Sequence, residues 1–235
     1  METDIKVPLR YLLEGQLQHI MLLSLLVPGA VYLARPAFDG SSWLGISDSG
    51  WFHAVLLVAI IHQVVVWFVW RTQLISSLFS RLFGRYDMLV WGVIFLPLLL
   101  MRPILMVALG LADFGSLGQL RGLQVAVGLL LLIPAAYTGW SFEMHFGAAR
   151  ALGGDHFRQS YREMPFVRKA AFKYSSNAMY TFGFLLLWSI ALFTGSRAAL
   201  AAALFQHAYI WVHLYCTEEP DMRVIYGIPD QPGSG

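Results

Sequence analysis

The sequence predicts an all-α integral membrane protein with about six transmembrane helices, ending in a C-terminal helical hairpin. Hydrophobic residues make up 57% of the chain and charged ones only 13%, and the mean hydropathy is +0.60. Six apolar stretches approach the roughly 20 residues that a helix needs to cross hydrocarbon. There a helix satisfies its own backbone hydrogen bonds, which an isolated extended segment cannot do. The stretches run approximately over 16–34, 51–70, 88–110, 120–142, 179–195 and 198–216.

The first stretch is too long for a signal peptide and lacks a small-residue cleavage pattern, so it reads as a retained anchor. The third contains Arg102, followed at once by the helix-bending Pro103 in "LLLMRPILM". A charge inside a span is costly. Arg102 therefore pairs with a carboxylate such as Asp113, snorkels outward through the kink, or lines a substrate path. The fifth and sixth stretches are joined only by "TGSRA", which forces an antiparallel helical hairpin. Two units follow from this layout: residues 1–119 with three spans, and residues 120–235 with the remaining spans and the hairpin.

Charge sets the orientation. Twelve Lys and Arg fall in one set of alternating loops and termini, against Arg35, Arg121 and Arg197 in the other. That asymmetry places both termini and the long loop 143–176 in the cytoplasm. The loop, rich in Arg and Lys with interspersed apolar residues, reads either as an interfacial segment or as a solvated connector. A net charge of +2 implies no nucleic-acid partner. The single cysteine, Cys216, excludes an internal disulfide and a cysteine metal cluster. A phosphate-binding loop, a nucleophile elbow, HExxH and metal-spaced histidines are all absent from the sequence. "DFG" at 113–115 falls on the outer side and is read as coincidence.

What chemistry the sequence offers gathers at the hairpin mouth. One edge is "FKYSSNAMYTFGFLLLW", with Tyr174, the chain's only Asn at 177, Met179, Tyr180 and Gly183 where the chain enters the apolar phase. The other edge is "FQHAYIWVHLYCTEEPDM". On a helix its Tyr209, His213 and Cys216 share a face, with Glu218 and Glu219 beyond. Each residue also has a structural reading: interface aromatics, a packing glycine, a hydrogen-bonded core histidine, a charged helix end. A Glu pair at a helix C-terminus opposes the macrodipole, however, and suggests that a positive group sits there.

"NAMYTFGFLLLW", the turn at "GSR" and "YIWVHLYCTEEPDMRVIYG" resemble the C-terminal signature of the membrane phospholipid methyltransferase and isoprenylcysteine carboxyl methyltransferase superfamily. That signature has an Asn-Pro-x-Tyr or Arg-His-Pro-x-Tyr opening, a glycine, a helical hairpin, and a Glu-Glu pair followed by Tyr-Gly. The resemblance covers about 172–227. Asn177 and "EEP" at 218–220 are closer to the phosphatidylethanolamine N-methyltransferases. Ala178 replaces the family's Pro, and no Gly-x-Gly lies nearby.

The resemblance implies S-adenosylmethionine at the cytoplasmic mouth of residues 120–235. Tyr174, Asn177, Met179, Tyr180 and Gly183 would surround it, and Glu218 and Glu219 would contact its polar atoms. It also implies a membrane lipid substrate, phosphatidylethanolamine and its partly methylated forms, on the way to phosphatidylcholine. Carboxylates and aromatic faces at a partly desolvated edge suit a sulfonium cation. A lipid ammonium must lose a proton before it can attack a methyl group, and His213 or Glu219 is the candidate base. Arg102 and Tyr209 are the candidate substrate contacts. Three alternatives stay open: another methyl acceptor, such as an isoprenylcysteine carboxylate or a small thiol; a sterol-reductase-like NADPH enzyme; or a non-enzymatic bundle subunit.

Overall fold

The computed structural model describes residues 7–227, so Lys6 of the charge count and both chain ends lie outside the described residues. Each of the six apolar stretches is helical. α1 is Gln16–Ala34, α2 Asp48–Ser76, and a short α3, Leu78–Phe83, precedes α4, Asp87–Ala112. α5 is Arg121–Ser141. Before α2, a small antiparallel hairpin pairs β1 (Ser42–Trp43) with β2 (Ile46–Ser47), an addition the sequence reading lacked. Four helical runs, Leu9–Ala37, Asp48–Ser76, Leu78–Ala112 and Arg121–Phe146, are long and apolar enough to cross a membrane, and Met179–Thr194 is a shorter apolar run. The architecture is that of a helical membrane protein.

Loop 143–176 is built from short helical turns and not from one continuous helix. After a π-turn at Phe142–Phe146 it makes three single-turn helices, α6 (Ala148–Ala151), α7 (Gly154–Phe157) and α8 (Gln159–Arg162). These dock onto the bundle. The Leu152 carbonyl accepts from Trp91 Nε1 at 2.8 Å and Trp70 Nε1 at 3.2 Å, and the Arg158 guanidinium pairs with the buried Asp87 carboxylate. Indole donors and a buried carboxylate need partners, and the loop supplies them.

The C-terminal hairpin is α9 (Leu185–Thr194) and α10 (Arg197–His213). α10 lies in the middle of the bundle, packed by α1, α2, α4 and α9, while α5 lies against α9. Its alanines at 198, 199, 201, 202 and 203 are all buried, and such small side chains let neighbouring helices approach closely. Gly195 closes α9 in the left-handed conformation at φ 61, and Ser196 caps α10 by accepting from Ala199 N at 2.9 Å. Asp113 fastens this turn, accepting from Ser196 Oγ at 2.6 Å and Ala198 N at 2.9 Å. The expected pairing of Arg102 with Asp113 is therefore corrected: the carboxylate is committed to capping the hairpin.

Candidate active site

Two π-turns face each other at the hairpin mouth. Met179–Gly183 leads into α9, and Leu214–Glu218 follows α10, with the chain continuing directly as α11, Glu219–Tyr226. A π-turn widens the helix and leaves backbone groups to be satisfied from elsewhere. Here Arg71 Nη2 reaches the carbonyls of Cys216 and Thr217, at 3.4 and 3.5 Å. Gly15, with φ 76, packs so closely on the Cys216 carbonyl that a Cβ would lie 2.3 Å from its oxygen. The expectation that Glu218 and Glu219 end a helix against its dipole is overturned. α11 begins at Glu219, with Asp221 also in its first turn, where acidic side chains are favourable.

Tyr180 Oη donates to Glu218 Oε1 across the mouth, and His213 Nε2 lies 3.6 Å from the same oxygen. Burial pushes the Glu218 carboxyl up to about 7, against the lowering effect of the Tyr180 hydrogen bond. The Tyr180 ring packs edge-on against Phe184 and Trp211, with centroids 6.3 and 6.4 Å away. A Cβ on Gly183 would meet only Thr138 Cγ2, at 3.9 Å. Gly183 therefore leaves room beside Tyr180 and is not wedged against a neighbouring helix.

Other expected residues are placed less centrally. Asn177 makes the turn into the π-segment, its carbonyl accepting from Tyr180 N and Thr181 N at 2.9 Å. Met179 is half-buried beside it, packed against the cluster of Ala171, Phe172 and Ala178. Tyr174 is 74% exposed and stands outside the mouth. Glu219 is half-buried and makes no side-chain hydrogen bond among the described residues. Tyr209 is buried in the bundle and shares a 2.8 Å hydrogen bond with His19 Nε2. Arg102, 3% exposed, donates from Nε to Gln206 Oε1 at 2.8 Å and lies over the Phe184 ring, 4.8 Å from its centroid.

Directly behind the site is a buried ionic knot absent from the sequence reading. Asp221 pairs with Arg71 Nε at 2.5 Å, accepts from Tyr11 Oη at 2.8 Å and meets His156 Nε2 at 3.2 Å. His156 stacks on Trp70, centroids 4.5 Å apart, and its Nδ1 lies 3.1 Å from Asp155 Oδ1. Burial alone would lower the His156 pKa, but hydrogen bonds to Asp155 and Asp221 and their charges raise it to about 9. Local sequence carries no sign of this knot, because Asp221 lies 65 residues from His156 and farther still from Arg71.

A carboxylate, a phenol and an imidazole thus meet at one hairpin mouth in a bundle of membrane-length apolar helices. Residues 123–228 match the phospholipid methyltransferase family model. This bears out the resemblance over a stretch that includes most of α5, the loop and both π-turns. Over 105 residues the chain is 31% identical to phosphatidylethanolamine N-methyltransferases from Neurospora crassa and Sordaria macrospora, covering 45% of this chain and 11% of each relative. It is 25% identical over 147 residues to the enzyme of that name from Malassezia globosa, covering 62% of this chain and 15% of the relative. The matched region is thus a small fraction of those proteins. No solved structure matches.

Proposed function

We propose that this protein is an S-adenosylmethionine-dependent N-methyltransferase of phosphatidylethanolamine and its partly methylated forms, acting in phosphatidylcholine synthesis. The observation that carries this reading is the Glu218 carboxylate, set between Tyr180 and His213 at the mouth of a phospholipid-methyltransferase hairpin. The residues fit a cationic methyl donor: one carboxylate, aromatic faces at Tyr180 and Trp211, and open space at Gly183. Asn177, Met179, Tyr180, Gly183 and Glu218 would hold S-adenosylmethionine, with Tyr174 and Glu219 at its outer rim. When bound, that group supplies an electrophilic methyl on a sulfonium.

The protein's own part is to hold the amine and take its proton. A carboxyl near 7 is poised to accept a proton at neutral pH, and Tyr180 steadies the charge by donating to it. Of the candidate bases, the geometry supports Glu218 with His213 beside it, where the sequence reading had Glu219 or His213. A carboxylate or thiolate acceptor would need no base, so a buried base in the mouth favours an amine. Tyr209 on α10 and Arg102 on α4 are buried within the bundle, where they would contact the lipid substrate. We further propose six membrane crossings, with both termini and the site on the cytoplasmic side.

Purified protein supplied with labelled S-adenosylmethionine should transfer label to phosphatidylethanolamine and to its mono- and dimethyl forms. Label on a prenylated cysteine and none on these lipids would replace this reading.

A further inference from the structure

Deep in the bundle lies a polar cluster whose hydrogen bonding does not balance. Arg102 and Gln206 are 3% and 0% exposed and joined by Nε and Oε1. Arg102 Nη2 and Gln206 Nε2 have no hydrogen-bond partner among the described residues, nor do Gln63 Nε2 and either ring nitrogen of His62. Unmet buried donors cost free energy, and an arginine keeps its charge. Arg102 forms no salt bridge with a carboxylate among the described residues. The surplus is of donors and of positive charge, so the missing partner is an acceptor that carries negative charge.

The cluster's position identifies that acceptor. The guanidinium lies over Phe184, Phe184 packs on Tyr180, and Tyr180 donates to Glu218. The buried guanidinium is thus linked through two aromatic rings, Phe184 and Tyr180, to the carboxylate proposed to receive an amine. A ligand that carries both an anion and an ammonium is complementary in charge to the two ends.

We propose that Arg102 and Gln206 form an oxyanion site for the phosphodiester of the zwitterionic lipid headgroup, which sets the amine against Glu218. This rests on the functional reading above and extends it, since it makes the site selective for a phospholipid over a neutral lipid bearing the same amine. Arginine's planar fork presents two donors to phosphate, and Gln206 adds a third from the facing helix.

The test is calorimetry on the purified full chain, without methyl transfer, using three probes: dihexanoyl phosphatidylethanolamine, the same molecule with a neutral ether in place of the phosphodiester, and inorganic phosphate. Wild type should bind the phospholipid more tightly than the ether. Arg102→Gln should weaken phospholipid binding by about tenfold to a hundredfold and leave the ether unchanged. Gln206→Met should do the same to a smaller extent, and Arg102→Lys should restore part of the loss. S-adenosylhomocysteine affinity and thermal unfolding, measured on each variant, separate loss of the site from loss of the fold. Equal weakening of phospholipid and ether in a folded variant, or no weakening, would overturn the proposal. Binding of inorganic phosphate without the phospholipid would overturn the lipid assignment. Methyl transfer, assayed separately, stands or falls independently of this result.

Discussion

Glu218 and Glu219 are neighbours in the chain, yet the π-turn that ends between them gives them different surroundings. Glu218 receives the Tyr180 hydroxyl and lies beside His213, while Glu219 opens the next helix. Glu218→Gln, which keeps shape and removes charge, should lower methyl transfer by about tenfold to a hundredfold. Glu219→Gln should matter far less. With the Glu218 carboxyl at about 7, the base form accumulates as pH rises through 7, so the wild-type rate should climb with a midpoint there. Initial rates from about pH 5.5 to 8.5 check this, and the profile of the Glu218→Gln variant should lack that limb. Parallel profiles would make Glu218 structural. Gly183→Leu should fill the space beside Tyr180 and weaken S-adenosylmethionine affinity while membrane insertion stays normal; unchanged affinity in calorimetry would remove Gly183 from the site. The residue types at the mouth were legible because charges and hydroxyls at the edge of an apolar run stand out. Which of two adjacent glutamates points inward was not, since that depends on one extra residue per turn.

At the scale of elements, the ionic knot ties four separate segments together: Tyr11 before α1, Arg71 on α2, His156 in the loop and Asp221 on α11. Folded His156 keeps its proton up to about 9, against a reference value of 6.5. The folded state therefore binds more protons between these values. Its contribution to stability is full below about 6.5 and is lost as pH rises through about 9. Thermal unfolding followed from about pH 6 to 9.5 should show this decline, and His156→Gln should be less stable at about pH 6 with a flatter dependence. If wild type and His156→Gln decline in parallel, the knot does not hold a charged imidazole. Helix positions were readable from apolar length because hydrocarbon imposes it. The π-turns were not: they persist where tertiary partners satisfy the displaced carbonyls, as Arg71 does for Cys216 and Thr217.

For the whole molecule, the uneven placement of Lys and Arg predicts that the turn between α9 and α10 lies on the outer side. Single cysteines at Gly195 and Ser196, introduced on a Cys216→Ala background, should react with an impermeant reagent only from outside. Labelling from the cytoplasm would invert the topology and move the site with it. Both positions pack against the Asp113 cap or Arg121, so a cysteine within 116–119 provides a second probe of the same face.

What local sequence could settle was what water and hydrocarbon enforce on any chain: that these apolar runs become helices, that "TGSRA" folds two of them back on each other, and that polar residues collect at the hairpin mouth. These outcomes follow from transfer free energy and backbone satisfaction, which act over one segment at a time. The three-dimensional packing settled the rest: Asp113 caps the hairpin instead of pairing with Arg102, the loop 143–176 folds onto Trp70 and Trp91, and Arg102 meets Gln206. Buried polar groups choose among distant partners by geometry and desolvation. The Arg102–Gln206 contact spans 104 residues, a separation at which periodicity and composition carry no information about who meets whom.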